Sequence, residues 1–324
     1  WEPAFEHLRF LAIRRGLRPP VIAATPVSIL PVWHPKLGEP FLHEFRLELD
    51  GTPPVTDHLP TAYVAALARQ AVAALRDAGI VSAGDRVRSL VVALPNIATP
   101  ALDHDPWVFE DIEQPLPIGS TPLADALGLR SLRAGSSWDD GDLPVLIPHA
   151  VIAATHAQSR AANTRETGGI LLGALHRDPD HGPLFVRISA QIPAQHTVAS
   201  ETHLTFTDET WAAARTAIAR RGRHELLAAW WHYHPDFCRN CPAERRATCA
   251  LDSTFFSSDD LQLHRVVFNQ AYATALLISQ RPTGLTTALF GWRQATIVPR
   301  GFYTVGVPAT SEGEPTDAPS HATP

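Results

Sequence analysis

Two histidines separated by a single residue are the part of this sequence best suited to chemistry. His232 and His234 end a run, residues 225–231, that reads as a buried strand. Side chains alternate along a strand, so both imidazoles should leave one face together at its C-terminal end. A carboxylate at Asp260 would add a third ligand, and zinc with three protein ligands keeps a fourth position open for water. This donor set is typical of a hydrolytic zinc site and not of a structural one.

A second carboxylate, upstream of the histidines, is suited to acid–base work. Glu166 stands directly before an apolar segment punctuated by glycines, TGGILLG at residues 167–173. Hydrolysis at a metal needs a base that accepts the proton of the attacking water and passes it to the departing amine. We therefore assign Glu166 as the candidate general base.

Together these pieces resemble the signature of the JAB/MPN zinc metalloproteases, the JAMM class. That signature is Glu-x-x-Gly-apolar-Leu-x-Gly, then His-x-His-Pro, then Ser-x-x-Asp. In this chain the three parts are residues 166–173, 232–235 and 257–260, and the resemblance extends over residues 144–306. The complete set is specific, although each piece alone is weak. The resemblance is to the deubiquitinase-like members, and the Ala-, Arg- and Pro-rich composition favours a bacterial one.

The resemblance implies a role for each matching residue. His232, His234 and Asp260 would be the zinc ligands, and Glu166 the general base. Ser257 would stabilise the tetrahedral intermediate. The same serine is also placed to cap the helix that follows it, and the two roles are compatible.

The activity implied by the resemblance is that of a zinc-dependent isopeptidase or peptidase. It would cleave after the C-terminal tail of a ubiquitin-like protein, so that protein or its conjugates would be the partner. Two alternatives stay open: a non-catalytic MPN scaffold module, and a zinc hydrolase of a small amide or of a sulfur-carrier precursor. Scaffold members typically lack the ligands, which this chain retains.

An insertion between the histidine and serine parts of the motif contains all three cysteines. Residues 236–256 form a longer spacer than the family usually has. Cys238 and Cys241 have a common metal-chelate spacing and Cys249 adds a third thiolate, so we predict a second zinc ion there. A reduced thiol cluster, or one disulfide with one free thiol, is the alternative. A fourth ligand would come from His264, Asp236 or Asp252.

Composition restricts the partners. The chain of 324 residues has a net charge of −6 and no clustered Lys/Arg run, which argues against nucleic acid as a partner. No apolar stretch approaches the length of a membrane span, so we expect no membrane contact. No charged segment followed by an apolar one marks a secretory leader, and three cysteines do not make a disulfide framework. The sequence therefore predicts a cytoplasmic protein.

The pattern along the chain predicts two domains. A smaller α+β accessory domain is expected over residues 1–130 and a linker over 131–142. The metalloprotease domain is expected over 143–307, as an α/β, MPN-like (cytidine-deaminase-like) mixed sheet flanked by helices. Residues 308–324 are rich in Pro, Ser, Thr and Glu, which predicts a disordered tail. We expect the N-terminal domain to position partners, including conjugation enzymes, and to carry no catalytic group.

Hydrophobic periodicity predicts the individual elements. It favours helices over residues 4–15, 61–78 and 258–272. It also favours a strand over 88–94 and a single final strand over 297–304.

Overall fold

The computed structural model describes most of the chain. The described residues are 1–22, 25–34, 42–82, 84–88, 114–135, 137–179, 182–194, 197–199, 204–236, 244, 256–281 and 284–308. Apart from residues 88 and 308, the predicted strand 88–94 and the predicted tail 308–324 lie outside them, as do all three cysteines. In the part that is described, no helix is long and apolar enough to cross a membrane.

The described residues form a mixed α/β structure. The helices are α1 (Glu2–Arg14), α2 (Ala62–Asp77), α3 (Leu123–Leu127), α4 (His149–Ala162), α5 (Asp208–Arg221) and α6 (Ser258–Val267). The first strands are β1 (Val21–Ile22), β2 (Val27–Trp33), β3 (Leu42–Leu49), β4 (Val55–Pro60), β5 (Gln114–Pro115), β6 (Ile118–Ser120), β7 (Ser131–Ala134) and β8 (Val145–Pro148). The later strands are β9 (Thr167–Arg177), β10 (Leu184–Pro193), β11 (Thr197–Ala199), β12 (Leu204–Phe206), β13 (Leu226–His234), β14 (Thr274–Arg281), β15 (Gly284–Arg293), β16 (Thr296–Arg300) and β17 (Phe302–Val305).

A ten-stranded mixed sheet dominates the fold. Its order is β16-β15-β14-β13-β9-β10-β8-β17-β7, and β6 pairs with β9. The pairs β13·β14, β10·β8, β17·β8 and β6·β9 are parallel, and the other pairs are antiparallel. Helices α1 and α4 pack on one face through Phe10 and Val151. Helices α5 and α6 cover the other face through Ala214 and Leu263. The predicted mixed sheet flanked by helices is thus confirmed at the level of a general α/β fold.

The sheet is strongly curled, and this overturns the prediction of one final strand over residues 297–304. Strands β16 and β17 are separated only by Gly301 but pair at different places in the sheet. The chain can pass between them because the two ends of the sheet approach each other. A Cβ at Gly301 would lie 2.3 Å from the ring of Trp138, so the crossing point has no room for a side chain. In the sequence, residues 297–304 form one continuous apolar run, so the hydrophobic periodicity does not reveal this break.

Residues before 143 also contribute to the large sheet. Strand β7 lies in the segment predicted as a linker, and it pairs with β17 at the edge of the sheet. Strand β6, in the predicted accessory domain, pairs with β9. Both strands are short and largely exposed, so they lack the buried apolar alternation by which a strand is recognised in a sequence.

A smaller antiparallel sheet, β2-β3-β4, packs against α1 near the N-terminus. Its core includes Leu8 of α1 and Leu47 of β3, both fully buried. The opposite side of α1 reaches the large core through Phe10 and Ile13. Helix α1 therefore belongs to both cores and joins the small sheet to the large one. The predicted helices over residues 4–15 and 61–78 agree with α1 and α2 within two residues.

Polar contacts reinforce this junction. The guanidinium of Arg177 donates to the carbonyl oxygens of Ile13 and Arg14 at 2.9 and 3.2 Å. The backbone N–H of Ala271 donates to Oε1 of Glu6 at 3.2 Å. Ala271 lies in the turn after α6, which ends at Val267 and not near residue 272 as predicted; this earlier end leaves the turn free to meet α1.

The partly buried carboxyl of Glu6 should make stability depend on pH. Burial raises the pKa of Glu6 to about 7, although the Ala271 N–H and Arg9 oppose the shift. A carboxyl whose folded pKa lies above its unfolded value favours folding most at low pH. Its contribution is lost as pH rises from about 4.5 to about 7. We expect Glu6→Gln to flatten this dependence and to be more stable than the wild type at pH 8 by about 1–2 kcal/mol.

Urea unfolding at pH 5 and pH 8 measures this difference. Asp125→Asn, at an exposed position of α3 away from Glu6, is the control and should keep the wild-type dependence. Equal pH dependence of Glu6→Gln and the wild type would remove Glu6 as its source.

Candidate metal centre

The two predicted histidines lie at the C-terminal end of β13, as the strand pattern predicts. His232 and His234 are 4% and 2% exposed, and their ring centroids are 4.6 Å apart. They share the face of the sheet that α5 and α6 cover, because Trp230, two residues earlier, packs in that core. The prediction that both imidazoles leave one face together is confirmed.

Glu166 reaches the histidines because β9 runs antiparallel to β13. The start of β9 therefore lies beside the end of β13, with Gly168 directly opposite His232. Gly168 has no side chain there, so Glu166, on the same face two residues earlier, can extend to the imidazole. Its Oε2 lies 3.1 Å from Nε2 of His232, and the residue is 4% exposed. The hydroxyl of Tyr233 donates to the carbonyl oxygen of Asn163 at 2.9 Å and anchors the turn that leads to Glu166.

Asp260 enters the site from the first turn of α6. Its Oδ1 lies 2.7 Å from Nδ1 of His232, and its Oδ2 lies 3.4 Å from Nε2 of His234. The carboxylate is buried at 5% exposure. The structure thus brings both carboxylates and both imidazoles named in the sequence analysis into one buried cluster.

Ser257 caps α6 and fixes the carboxylate of Asp260 at the same time. The Asp260 N–H donates to Oγ of Ser257 at 3.1 Å. In return the Ser257 hydroxyl and N–H donate to Oδ2 of Asp260 at 2.8 and 2.9 Å. This reciprocal capping box satisfies two N–H groups at the helix start. The predicted capping role is confirmed, and the oxyanion role stays a prediction.

The electrostatics of the cluster require positive charge. Burial lowers the pKa of His232, but the carboxylates of Asp260 and Glu166 outweigh burial and raise this pKa to about 9. Burial raises the pKa of Asp260, but His232 and His234 oppose it and hold that pKa well below its usual range. Two buried carboxylates beside two neutral imidazoles would be costly. Either a proton on His232 or a metal cation can offset them.

The cluster can hold a metal ion. Glu166, His232 and His234 are all buried, and each offers a ligand atom within 4.8 Å of those of the other two. Asp260 contacts both histidines from α6. Imidazole nitrogens with carboxylate oxygens form a donor set that suits zinc and related divalent ions. This grouping puts Glu166 among the candidate ligands, whereas the motif makes Asp260 the third ligand and Glu166 the base.

Two buried aromatic side chains, Trp230 and His264, pack beside the site. The sequence patterns did not reveal this pair. The indole N–H of Trp230 donates to Nδ1 of His264 at 3.0 Å, tying β13 to α6. The Trp230 ring stacks on His232, with centroids 5.7 Å apart. Burial lowers the pKa of His264 to about 3, so this imidazole is neutral. The spacing of His264 and Asp260 could have indicated that His264 packs beside the site. The two residues are one helical turn apart, so they lie on the same face of α6.

The predicted second zinc site lies outside the described residues. Cys238, Cys241 and Cys249 are not described, nor is Asp252, one of the candidates for a fourth ligand. His264, another candidate, is fully buried, and its Nδ1 accepts the Trp230 hydrogen bond. The second zinc ion therefore stays a prediction.

The second glycine of the TGG segment, Gly169, lies where the sheet has no room for a side chain. A Cβ at Gly169 would lie 2.4 Å from the carbonyl oxygen of Ile192 and 2.5 Å from Nε1 of Trp231. Neither the neighbouring strand nor the buried indole can yield without moving the sheet. We expect Gly169→Ala to cost at least about 2 kcal/mol of unfolding free energy and to weaken metal binding.

Urea unfolding, with metal content measured on the same samples, tests this expectation. Gly84→Ala is the matched control, because a Cβ at Gly84 meets no atom within 4 Å. Wild-type stability in Gly169→Ala would mean that β9 and β10 are less closely packed than the structure has them.

Comparisons with known proteins find a structural likeness but no family. No family model matches the chain, and no curated protein matches it. Among solved structures it is similar to the solution structure of a protein from Desulfitobacterium hafniense, with 17% sequence identity and a TM-score of 0.34. That match covers 48% of this chain and 88% of the other. A likeness of this size carries no inference about function.

Proposed function

We propose that this chain is a zinc-dependent isopeptidase or peptidase of the JAMM type that cleaves after the C-terminal tail of a ubiquitin-like protein. One observation carries the proposal. Glu166, His232, His234 and Asp260 are distant in sequence, yet they converge in one buried cluster at one end of the curled sheet. The mixed sheet flanked by helices is compatible with the MPN-like fold that the motif implies.

In this proposal His232, His234 and Asp260 hold the zinc, and Glu166 remains available for proton transfer. A divalent ion held there would act as a Lewis acid on the scissile carbonyl and would lower the pKa of water. The capping box keeps Oδ2 of Asp260 oriented, and Trp230 supports the ring of His232. Such supporting contacts fix the orientation of ligand side chains.

Glu166 moves the proton in the proposed reaction. Its Oε2 takes a proton from water as the water oxygen bonds to the carbonyl carbon of the scissile amide. When the carbon–nitrogen bond breaks, the same oxygen returns the proton to the departing lysine amine. Glu166 is 4% exposed, so this carboxylate is shielded from bulk solvent.

Ser257 has a more constrained part than the motif alone suggests. In the structure its hydroxyl donates to Oδ2 of Asp260 at 2.8 Å. Stabilising the oxyanion of the tetrahedral intermediate would require this hydroxyl to rotate away from Asp260 when substrate is present. Its Oγ would stay in place and keep accepting from the Asp260 N–H, so the capping role and the oxyanion role remain compatible.

The N-terminal region is placed to influence substrate binding. Helix α2 lies against α6, and Oγ of Ser258 donates to Oδ2 of Asp77 at 3.4 Å. A groove of about 650 Å³ between the two helices is lined by residues that include Ala66, Ala73 and Leu261. Because α6 carries Asp260, a partner held in this groove would lie beside the helix that shapes the site. We propose that this region positions the conjugate or a conjugation enzyme.

A panel of substrates tests the proposed function. The zinc-loaded chain should cleave a peptide in which a ubiquitin-like tail ending in Gly-Gly is joined to a lysine side chain. It should leave a scrambled tail and a small aryl amide intact. Equal cleavage of the small amide would favour the small-amide hydrolase. Full zinc occupancy without cleavage of any substrate would favour the scaffold, which retention of all four side chains argues against.

A further inference from the structure

A second polar cavity lies at the opposite end of the large sheet from the metal centre. Along β14, Ser279 pairs with His234 and Thr274 pairs with Ala229 of β13 and with Gly291 of β15. Thr274 and Ser279 are five residues apart along β14. Gly291, which pairs with Thr274, therefore lies roughly 17 Å along the strand direction from His234, which pairs with Ser279. The cavity begins just beyond Gly291 and has a volume of about 250 Å³. That is several times the roughly 30 Å³ that one water occupies in the liquid.

Arginine side chains from three parts of the chain converge on this cavity. Arg14 comes from α1, Arg293 from the end of β15 and Arg300 from the end of β16. The well-buried carboxylate among the lining residues, Asp142, is shared: Arg293 binds both of its oxygens at 2.5 and 2.9 Å. Nε of Arg300 lies 3.5 Å from Oδ2 of the same carboxylate and forms an ion pair with it, but this nitrogen makes no hydrogen bond.

The other charged residues of the lining do not supply the missing negative charge. Arg15 adds a further cation. Asp57 is engaged by Nε2 of His7 at 2.6 Å. Asp139 is at the rim, with 51% of its side chain exposed. With His7 counted as neutral, the cavity is lined by four arginines and three aspartates. The excess of positive charge is larger in the buried part of the cavity than in the lining as a whole.

Arg300 makes this excess costly. The residue is 1% exposed, and two of its nitrogens donate to the carbonyl oxygens of Trp292 and Leu143. Its Nε has no hydrogen-bond acceptor among the described residues. Burial lowers the pKa of Arg300, and it also lowers the pKa of Arg14. A buried cation without an anion of its own is strongly unfavourable, so an anion in the cavity would stabilise the folded chain.

We propose that this cavity binds a phosphate group, either as inorganic phosphate or as a phosphate monoester. Guanidinium groups present N–H donors in a fixed planar arrangement that suits the oxygens of phosphate. Among the described residues, Arg14 donates one N–H, to the carbonyl oxygen of Gly141 at 2.8 Å. The bound anion would join α1 to β15 and β16, and so would hold the N-terminal sheet against the large sheet.

Binding of inorganic phosphate and of phenyl phosphate to the full chain tests the proposal. Calorimetry and thermal unfolding are run at constant ionic strength, with chloride as the balancing ion. We expect saturable binding of at least one of the two, with slower hydrogen exchange in α1. The two ligands distinguish the sources: tighter binding of phenyl phosphate indicates a monoester, and tighter binding of phosphate indicates the free ion.

Three variants decide whether the cavity is responsible. Arg14→Gln should weaken binding by about tenfold, the usual effect of one charge-assisted hydrogen bond. Asp139→Asn keeps the oxygen that accepts from the Gly141 N–H but removes a negative charge, so it should tighten binding. Arg9→Gln, which alters an ion pair with Glu2 elsewhere on α1, should leave binding unchanged. Absence of saturable binding, or the same response in all three variants, would overturn the proposal.

Discussion

Glu166→Gln should keep its metal and lose nearly all turnover. Glutamine has almost the shape of glutamate but cannot accept the proton of the attacking water. General bases typically contribute about 10²–10⁴-fold to the rate, so we expect a loss of that size. Because His232, His234 and Asp260 remain, the metal content of the variant should equal that of the wild type. Isopeptide cleavage and metal analysis on the same samples measure both quantities.

The control for this variant is Glu225→Gln. Glu225 is also a buried glutamate, but it lies just before β13, at the end of the sheet away from the histidines, and it pairs with Arg221. Glu225→Gln should lower the stability of the fold but leave the rate of cleavage per folded molecule unchanged. If Glu166→Gln loses metal together with activity, Glu166 is a ligand, as its grouping with the two histidines allows. If it retains substantial activity, Glu166 is not the base.

His232→Ala and Asp260→Ala should each lose the metal. Either change leaves two of the three proposed protein ligands. Loss of contacts that only support a ligand typically costs about 10–100-fold in affinity, so loss of a ligand itself should cost at least about 100-fold. Competition against a chelator of known affinity measures this change. Cleavage should disappear in parallel, because no other group here would take over the role of the ion.

His156→Ala is the matched control for these variants. His156 lies on α4 and contacts the hydroxyl of Thr287 at 2.8 Å, away from the cluster. Removing His232 also strips a partner from two buried carboxylates, so His232→Gln, which keeps a polar side chain, separates metal loss from unfolding. Wild-type metal affinity in folded His232→Gln or Asp260→Ala would contradict the proposed ligand set.

Much of the site could be predicted from the sequence because its geometry follows from local rules. Alternation along a strand puts His232 and His234 on one face, whatever the rest of the fold. The serine and aspartate at 257 and 260 have the spacing of a capping box, which fixes their relation before any long-range contact forms. Placing Glu166 beside the histidines required more, namely that β9 and β13 pair antiparallel in the observed register. The motif resemblance supplied that step.

The parts that could not be predicted depend on pairing between distant segments. Nothing local marks β7 as a strand, because its exposed residues gain their hydrogen bonds only when β17 is beside them. The break at Gly301 exists because the sheet curls until its ends meet. The two-sided role of α1 is similar: Leu8 and Phe10 are both apolar, but only the fold assigns them to different cores.

The decisive measurement of metal-dependent catalysis is the rate of isopeptide cleavage as zinc is added back to the chelator-stripped chain. We expect no cleavage without metal and a rate that rises in proportion to occupancy of the cluster at Glu166, His232, His234 and Asp260. Glu166→Gln, loaded to the same occupancy, should remain inactive. Full cleavage by the stripped chain, or no cleavage by the fully loaded wild type, would contradict the proposed function.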